Sequence, residues 1–102
     1  MYKMFIDDER FPVDDSFVIV RSSSEAIEYV KIHGIPSFIS FDHDLGEHDT
    51  SIVFINWLID YVLDNDFAAT FEFYVHSQNP VGAENIKGKL NQFLNNYRLE
   101  CA

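Results

Sequence analysis

Short apolar runs that stop abruptly at acids, histidines or small polar residues constrain this chain more than any other feature. Phe5-Ile6 runs into Asp7-Asp8-Glu9, Phe38-Ile39-Ser40-Phe41 into Asp42-His43-Asp44, and Phe73-Tyr74-Val75 into His76-Ser77. A short, β-rich apolar run bounded by polar residues is the pattern of a buried parallel strand with helices over both faces. The carboxyl ends of such strands open on the crevice where α/β sheets bind their ligands. If the strands lie side by side and point the same way, Asp7, Asp8, Asp42, His43, Asp44, His76 and Ser77 gather at one sheet edge.

The pattern along the chain predicts strands over residues 2–7, 17–21, 37–42 and 71–76. Only about nine residues separate the first two, whereas a parallel crossover usually needs about a dozen or more. The first helix of a doubly wound fold is therefore missing or cut to a turn. Ser22 and Glu25 have the spacing of a capping box, and Ala26, Ile27 and Val30 follow on one helical face, stopped by Gly34 and Pro36. A second helix is capped by Thr50 or Ser51 and carries Phe54, Trp57, Leu58, Tyr61 and Val62 as a core-facing stripe. Ile55 and Ile59 make its other side apolar as well. This helix, which carries Ile52 and Leu63 (residues 52–63), is the expected surface for a protein partner or self-association. Pro80 starts the last helix, with Ile86, Leu90, Phe93, Leu94 and Tyr97 on one stripe. The resulting order, β-β-α-β-α-β-α, is an α/β pattern.

Asp7, Asp8 and Asp42, with Asp44 nearby, would place several like charges within a few ångströms. Such a cluster raises a carboxyl pKa or binds a cation. A hard divalent ion, Mg²⁺ or Mn²⁺, suits an all-oxygen site completed by water and phosphate. The alternative leaves Asp8, Glu9 and Asp44 as solvated loop acids and Asp7 as the cap of a turn. Under the metal reading, Asp7→Asn or Asp42→Asn weakens ion binding and leaves metal-free stability equal or higher.

His43 and His76 end neighbouring strands, so they would flank one bound phosphate and serve as acid and base. His76→Ala would then slow hydrolysis about 10²–10⁴-fold with the fold intact. The other reading makes His43 a surface residue and His76 a satisfied, partly buried imidazole. His33 and His48 read as structural. The Ser77-Gln78-Asn79-Pro80-Val81-Gly82 segment puts a hydroxyl, an amide and free N–H groups at a helix start. Ser77, Asn79 and Gly82 are thus candidate phosphate ligands, although Pro in a first turn is also ordinary helix initiation.

The net charge of −10, from seventeen acids against seven Lys and Arg, opposes extended nucleic-acid binding, which rests on neutralising phosphates. A nucleotide end or other phosphate-containing small molecule held at one metal-loaded point remains compatible with it. The only cysteine, Cys101, allows no intrachain disulfide, which fits a reducing compartment. With no long apolar h-region near Met1 and no span long enough for a bilayer, the expected location is the cytoplasm, without membrane contact.

Ile6-Asp7-Asp8 resembles the acidic pair closing the first strand of response-regulator receiver domains. Val20-Arg21-Ser22-Ser23-Ser24-Glu25-Ala26 is similar to their second strand and following helix. Phe41-Asp42 resembles the end of their third strand, where the phospho-accepting aspartate sits, and Leu45-Gly46 the Leu-Pro-Gly after it. Ser77 falls at the hydroxyl position closing the fourth. Two departures stand out: no fifth strand ending in Lys-Pro follows, so the acyl-phosphate lysine has no counterpart, and the first helix is nearly absent. A divergent receiver family, the cyclic-phosphate-processing receiver domains, is more similar. Its marks resemble Asp7-Asp8-Glu9-Arg10-Phe11-Pro12, Ser40-Phe41-Asp42-His43-Asp44-Leu45-Gly46 and Val75-His76-Ser77-Gln78-Asn79-Pro80-Val81-Gly82.

This resemblance implies one receiver-like (flavodoxin-like) domain over residues 1–102. It would be a three-layer α/β fold reduced to a parallel sheet of about four strands ordered 2-1-3-4, lacking or shortening the first helix and fifth strand. It also implies action on cyclic or terminal phosphates of nucleotides or RNA, in RNA repair or phage–host conflict. The expected chemistry is a metal-dependent phosphoesterase, with Asp7, Asp8 and Asp42 on the metal and Asp42, His43, His76 and Ser77 catalytic. Asp42 as a covalent nucleophile is a variant of it. A non-catalytic receiver-like signalling module and a cyclic-nucleotide binder are the alternatives.

Overall fold

The computed structural model describes residues 2–46, 48–65 and 71–101, with residues 96–101 given by their backbone alone. The side chains of Tyr97 and Cys101, both singled out in the sequence, lie outside the described residues. The elements follow the expected order: β1 (Lys3–Ile6), β2 (Phe17–Val20), α1 (Ser23–His33), β3 (Phe38–Phe41), α2 (Ser51–Asn65), β4 (Glu72–Val75) and α3 (Pro80–Cys101). All strand pairs are parallel and the sheet order is β2-β1-β3-β4. No fifth strand and no helix between β1 and β2 occur among the described residues, so this is the reduced receiver arrangement.

The register aligns Met4 with Val18 and Ile39, and Ile6 with Val20 and Phe41. Side chains alternate across a sheet, so these residues share a face with Phe73 and Val75 of β4. That face carries the core. Met4, Ile6, Val20, Ile39 and Phe41 are buried against Ala26 and Val30 of α1, Phe54, Leu58 and Val62 of α2, and Ile86, Leu90 and Leu94 of α3. Val18, Phe73 and Val75 are only partly buried, because β2 and β4 are the sheet's edges.

The opposite face presents Phe5, Phe17, Ile19, Phe38, Ser40 and Tyr74, and none of these joins the core cluster. Phe5 is kept nearly dry by the stacked His76 ring at 4.5 Å and by Phe17 edge-on at 6.0 Å. Phe38 is half-buried and Tyr74 exposed. The reduction of the receiver pattern thus extends to its layers. The described helices form a single layer over one face, since the short β1–β2 connection brings no helix to the other.

Local chemistry explains the helix ends. Ser22 caps α1 by accepting the Glu25 amide at 3.1 Å. Glu25 reaches back one residue further than a capping box requires, to the Arg21 amide at 3.3 Å. Asp49 adds a second grip, accepting the Ser23 amide at 2.8 Å and its hydroxyl at 2.5 Å. In α2 the stripe turns further than expected. Ile55 is fully buried, so the apolar side proposed as a docking surface is largely core, and Ile59 packs against that core. Val53 and Leu63 remain as the exposed large apolar residues of this helix. Trp57 is partly buried, stacked between Phe54 and Tyr61. Among the described residues no helix is long and apolar enough to cross a membrane.

Candidate functional site

Three of the four strands each hand the sheet ladder on to one ionisable residue. The Asp7 amide donates to the Val20 carbonyl at 3.2 Å, the Asp42 amide to Ile6 at 2.9 Å, and the His76 amide to Phe41 at 2.9 Å. The first residues past β1, β3 and β4 are therefore fixed by sheet hydrogen bonds, as the abrupt ends of the apolar runs imply. Asp7 is fully buried, Asp42 is buried and Asp8 is exposed, and an oxygen from each lies within 4.8 Å of the others. The three acids read from the sequence do converge.

Asp7 is the most heavily engaged of them. Its Oδ1 accepts the Glu9 amide at 3.0 Å and the Arg10 amide at 2.9 Å, so it also caps the turn that replaces the missing helix. Its Oδ2 meets His76 Nε2 at 3.0 Å and Arg10 Nε at 3.5 Å. Burial pushes the Asp7 carboxyl up. The Arg10 and Glu9 amides, the His76 ring and the Arg10 guanidinium together outweigh it and hold the carboxyl below the usual carboxylate range. Arg10 also places Nη2 at 3.9 Å from Asp42 Oδ2, so one guanidinium spans the two buried acids. The turn is anchored from β2: Arg21 Nη1 donates to the carbonyls of Asp7 at 3.0 Å and Arg10 at 2.5 Å, and its guanidinium lies over Phe11.

Asp42 Oδ1 accepts the His43 amide at 2.8 Å. Its carbonyl accepts the Ser51 hydroxyl, while the Ser51 amide donates to the His43 carbonyl at 2.9 Å. Ser51, read as a cap, thus ties the end of β3 to the start of α2. Between them Gly46 takes φ of 122°, a conformation that only glycine adopts readily.

The two histidines go to different sides of the sheet. His76 lies over the Phe5 face with Nδ1 at 2.7 Å from the Ser40 hydroxyl and Nε2 on Asp7, so both ring nitrogens are occupied. His43 turns toward the helices and packs on Gly82, where a Cβ would come within 2.4 Å of its ring. Its Nδ1 meets Asp44 Oδ1 at 3.0 Å. That bond, then the Asn79 amide group and the His43 charge, lower the Asp44 carboxyl pKa against a small effect of burial.

The Ser77–Gly82 segment is occupied by its own helix. Asn79 Oδ1 accepts the Gly82 amide at 3.0 Å, the N-cap bond of α3 with Pro80 as first helical residue, and Ser77 Oγ accepts the Asn79 amide at 3.1 Å. Gly82 is buried, and its close approach serves the His43 ring. Asp8, Glu9, Arg10, Asp42, Asp44, Ser77, Gln78 and Asn79 line an open cleft of about 380 Å³ above the acids. Asp7, which is fully buried, and His43, His76 and Gly82 are not on its wall.

Arg10, Arg21 and Ser40 enter the sequence reading only inside longer strings of residues and Asp49 not at all, so none of the four is expected there as a support of the site. Ser40 carried a usable signal, a lone hydroxyl inside an otherwise apolar strand. For Arg10 the signal was its position three residues after Asp7, within reach of a carboxylate that caps the same turn.

The sequence model of a family described as "Cyclic-phosphate processing Receiver domain" matches residues 2–92. No curated protein and no solved structure matched the chain.

Proposed function

Because the chain belongs to the cyclic-phosphate processing receiver domains, we propose that its cleft binds and hydrolyses a cyclic or terminal phosphate on a nucleotide or RNA end, with a divalent ion. The observation that carries this reading is the convergence of Asp7, Asp8 and Asp42 oxygens within 4.8 Å at the carboxyl end of a parallel sheet. Three carboxylates so placed are a hard-oxygen donor set of the kind Mg²⁺ and Mn²⁺ favour. When bound, such an ion neutralises phosphate charge and makes water a better nucleophile. Asp7 and Asp42 hold their positions through the sheet ladder, and exposed Asp8 closes the set from the cleft side. Ser77 and Asn79 contribute a hydroxyl and an amide at the wall where phosphate oxygens would lie.

His76 serves as a positioning residue, orienting Asp7 from beneath. His43 is the remaining proton carrier, with Nδ1 held by Asp44 and Nε2 without a hydrogen-bond partner among the described residues. The test is turnover of a 2′,3′-cyclic nucleotide with Mg²⁺ or Mn²⁺. The expected result is conversion to the monoester, abolished by a chelator and by Asp42→Asn. Binding without any turnover would support the second reading, a domain that sequesters the phosphate. One observation favours that reading: neither imidazole lines the cleft.

A further inference from the structure

We infer that Arg10 is a built-in counter-cation that occupies the Asp7–Asp42 pair in the absence of a metal ion and transfers to the phosphate when an ion enters. The inference rests on the carboxylate site proposed above and specifies how its two ligands depend on each other. The guanidinium spans both buried acids, with Nε 3.5 Å from Asp7 and Nη2 3.9 Å from Asp42. Those same two acids, with Asp8, are the ones whose oxygens converge. A divalent ion and Arg10 therefore compete for the same negative charge. Arginine does not deprotonate in a protein, so the approach of a second cation cannot be met by loss of a proton. The guanidinium has to move.

The surroundings allow that motion and give it a destination. The Arg10 backbone is pinned at both ends, its amide to Asp7 and its carbonyl to Arg21. The side chain is 41% exposed, with contacts to the acids longer than those of a tight charged pair. Side-chain rotation about this fixed pivot is enough to release it, while buried Asp7 and Asp42 stay in place. Arg10 lines the cleft together with Ser77 and Asn79. A planar fork of donors matches phosphate oxygens in two-point geometry, which a lysine does not reproduce. Among the described residues that line the cleft Arg10 is the one cation, which makes it the charged donor within reach of a phosphate held there.

The consequence is reciprocal coupling: a divalent ion frees Arg10 for phosphate, and phosphate holds Arg10 away from the ion's ligands. Calorimetric titration of Mn²⁺ into the wild type, Arg10→Gln and Arg10→Lys, with and without inorganic phosphate, tests it. Arg10→Gln is expected to bind Mn²⁺ alone about tenfold more tightly than wild type, within the usual range of coupling. Phosphate is expected to tighten Mn²⁺ binding in the wild type and to lose that effect in Arg10→Gln. Arg10→Lys, which keeps the charge and the fold if the glutamine variant does not fold, is expected to retain wild-type Mn²⁺ affinity with a weakened phosphate effect. Unchanged or weaker Mn²⁺ affinity in Arg10→Gln, or an intact phosphate effect in either variant, overturns the inference. Absence of Mn²⁺ binding in wild type and variants alike overturns the carboxylate reading itself.

Discussion

Asp7 combines complete burial with four polar partners, and this decides how it responds to mutation and to acid. Its folded-state pKa is depressed. The stabilisation it provides is therefore fully present above the unfolded carboxylate value of about 3.9 and is lost as pH falls through the lower folded value. Asp7→Asn leaves an Arg10 contact or the His76 ring without its charged partner. It should cost about 1–3 kcal/mol at neutral pH, and urea denaturation should show the gap from wild type shrinking below about pH 4. This reverses the sequence-based expectation for Asp7, which counted only repulsion between acids. Asp42 has fewer such bonds. Asp42→Asn keeps an oxygen for the His43 amide, so metal-free stability should stay within about 1 kcal/mol while Mn²⁺ binding falls. His76→Ala removes a ring stacked on Phe5 and takes away the imidazole partner of both the Ser40 hydroxyl and Asp7 Oδ2. A loss of about 2–4 kcal/mol in stability should accompany any loss of activity, contrary to the intact fold expected from sequence.

At the scale of elements, the N-terminus of α3 shows why a phosphate cradle and a helix cap look alike in sequence. Asn79 accepts the Gly82 amide, and Gly82 lies flush against His43. Asn79→Ala should cost about 0.5–2 kcal/mol as a lost cap. Gly82→Ala drives a methyl into the His43 ring and should cost about 1–3 kcal/mol, with a shifted His43 resonance in NMR spectra that Asn79→Ala does not produce. The strands and their order were legible because apolar runs and their polar stops are local signals, and β1, β3 and β4 end within a residue or so of the expected places. The partners of Asp7 were less so. His76 lies 69 residues away in the chain, and its ring direction depends on Phe5 and Ser40, which only the assembled sheet brings together. The depth of Ile55 likewise follows from the single helix layer, which rotates α2 onto the core.

For the whole molecule, charge and layering set what can approach the site. A net charge of −10 opposes a polyanion overall, and among the described residues of the cleft only Arg10, with any bound ion, would attract it. A 20-nucleotide RNA with a 2′,3′-cyclic end should thus bind no more than a few-fold tighter than the cyclic mononucleotide, with little dependence on salt, as measured by competition titration. The amides of Asp7, Asp42 and His76 are the last rungs of the sheet ladder, bonded to Val20, Ile6 and Phe41. In deuterated water these protons can be replaced only when those rungs open, and β1 and β3 are held by neighbours on both sides. This edge of the sheet should therefore be among the slowest-exchanging parts of the protein, keeping its protons while the exposed segment at Val13 has long since traded its own.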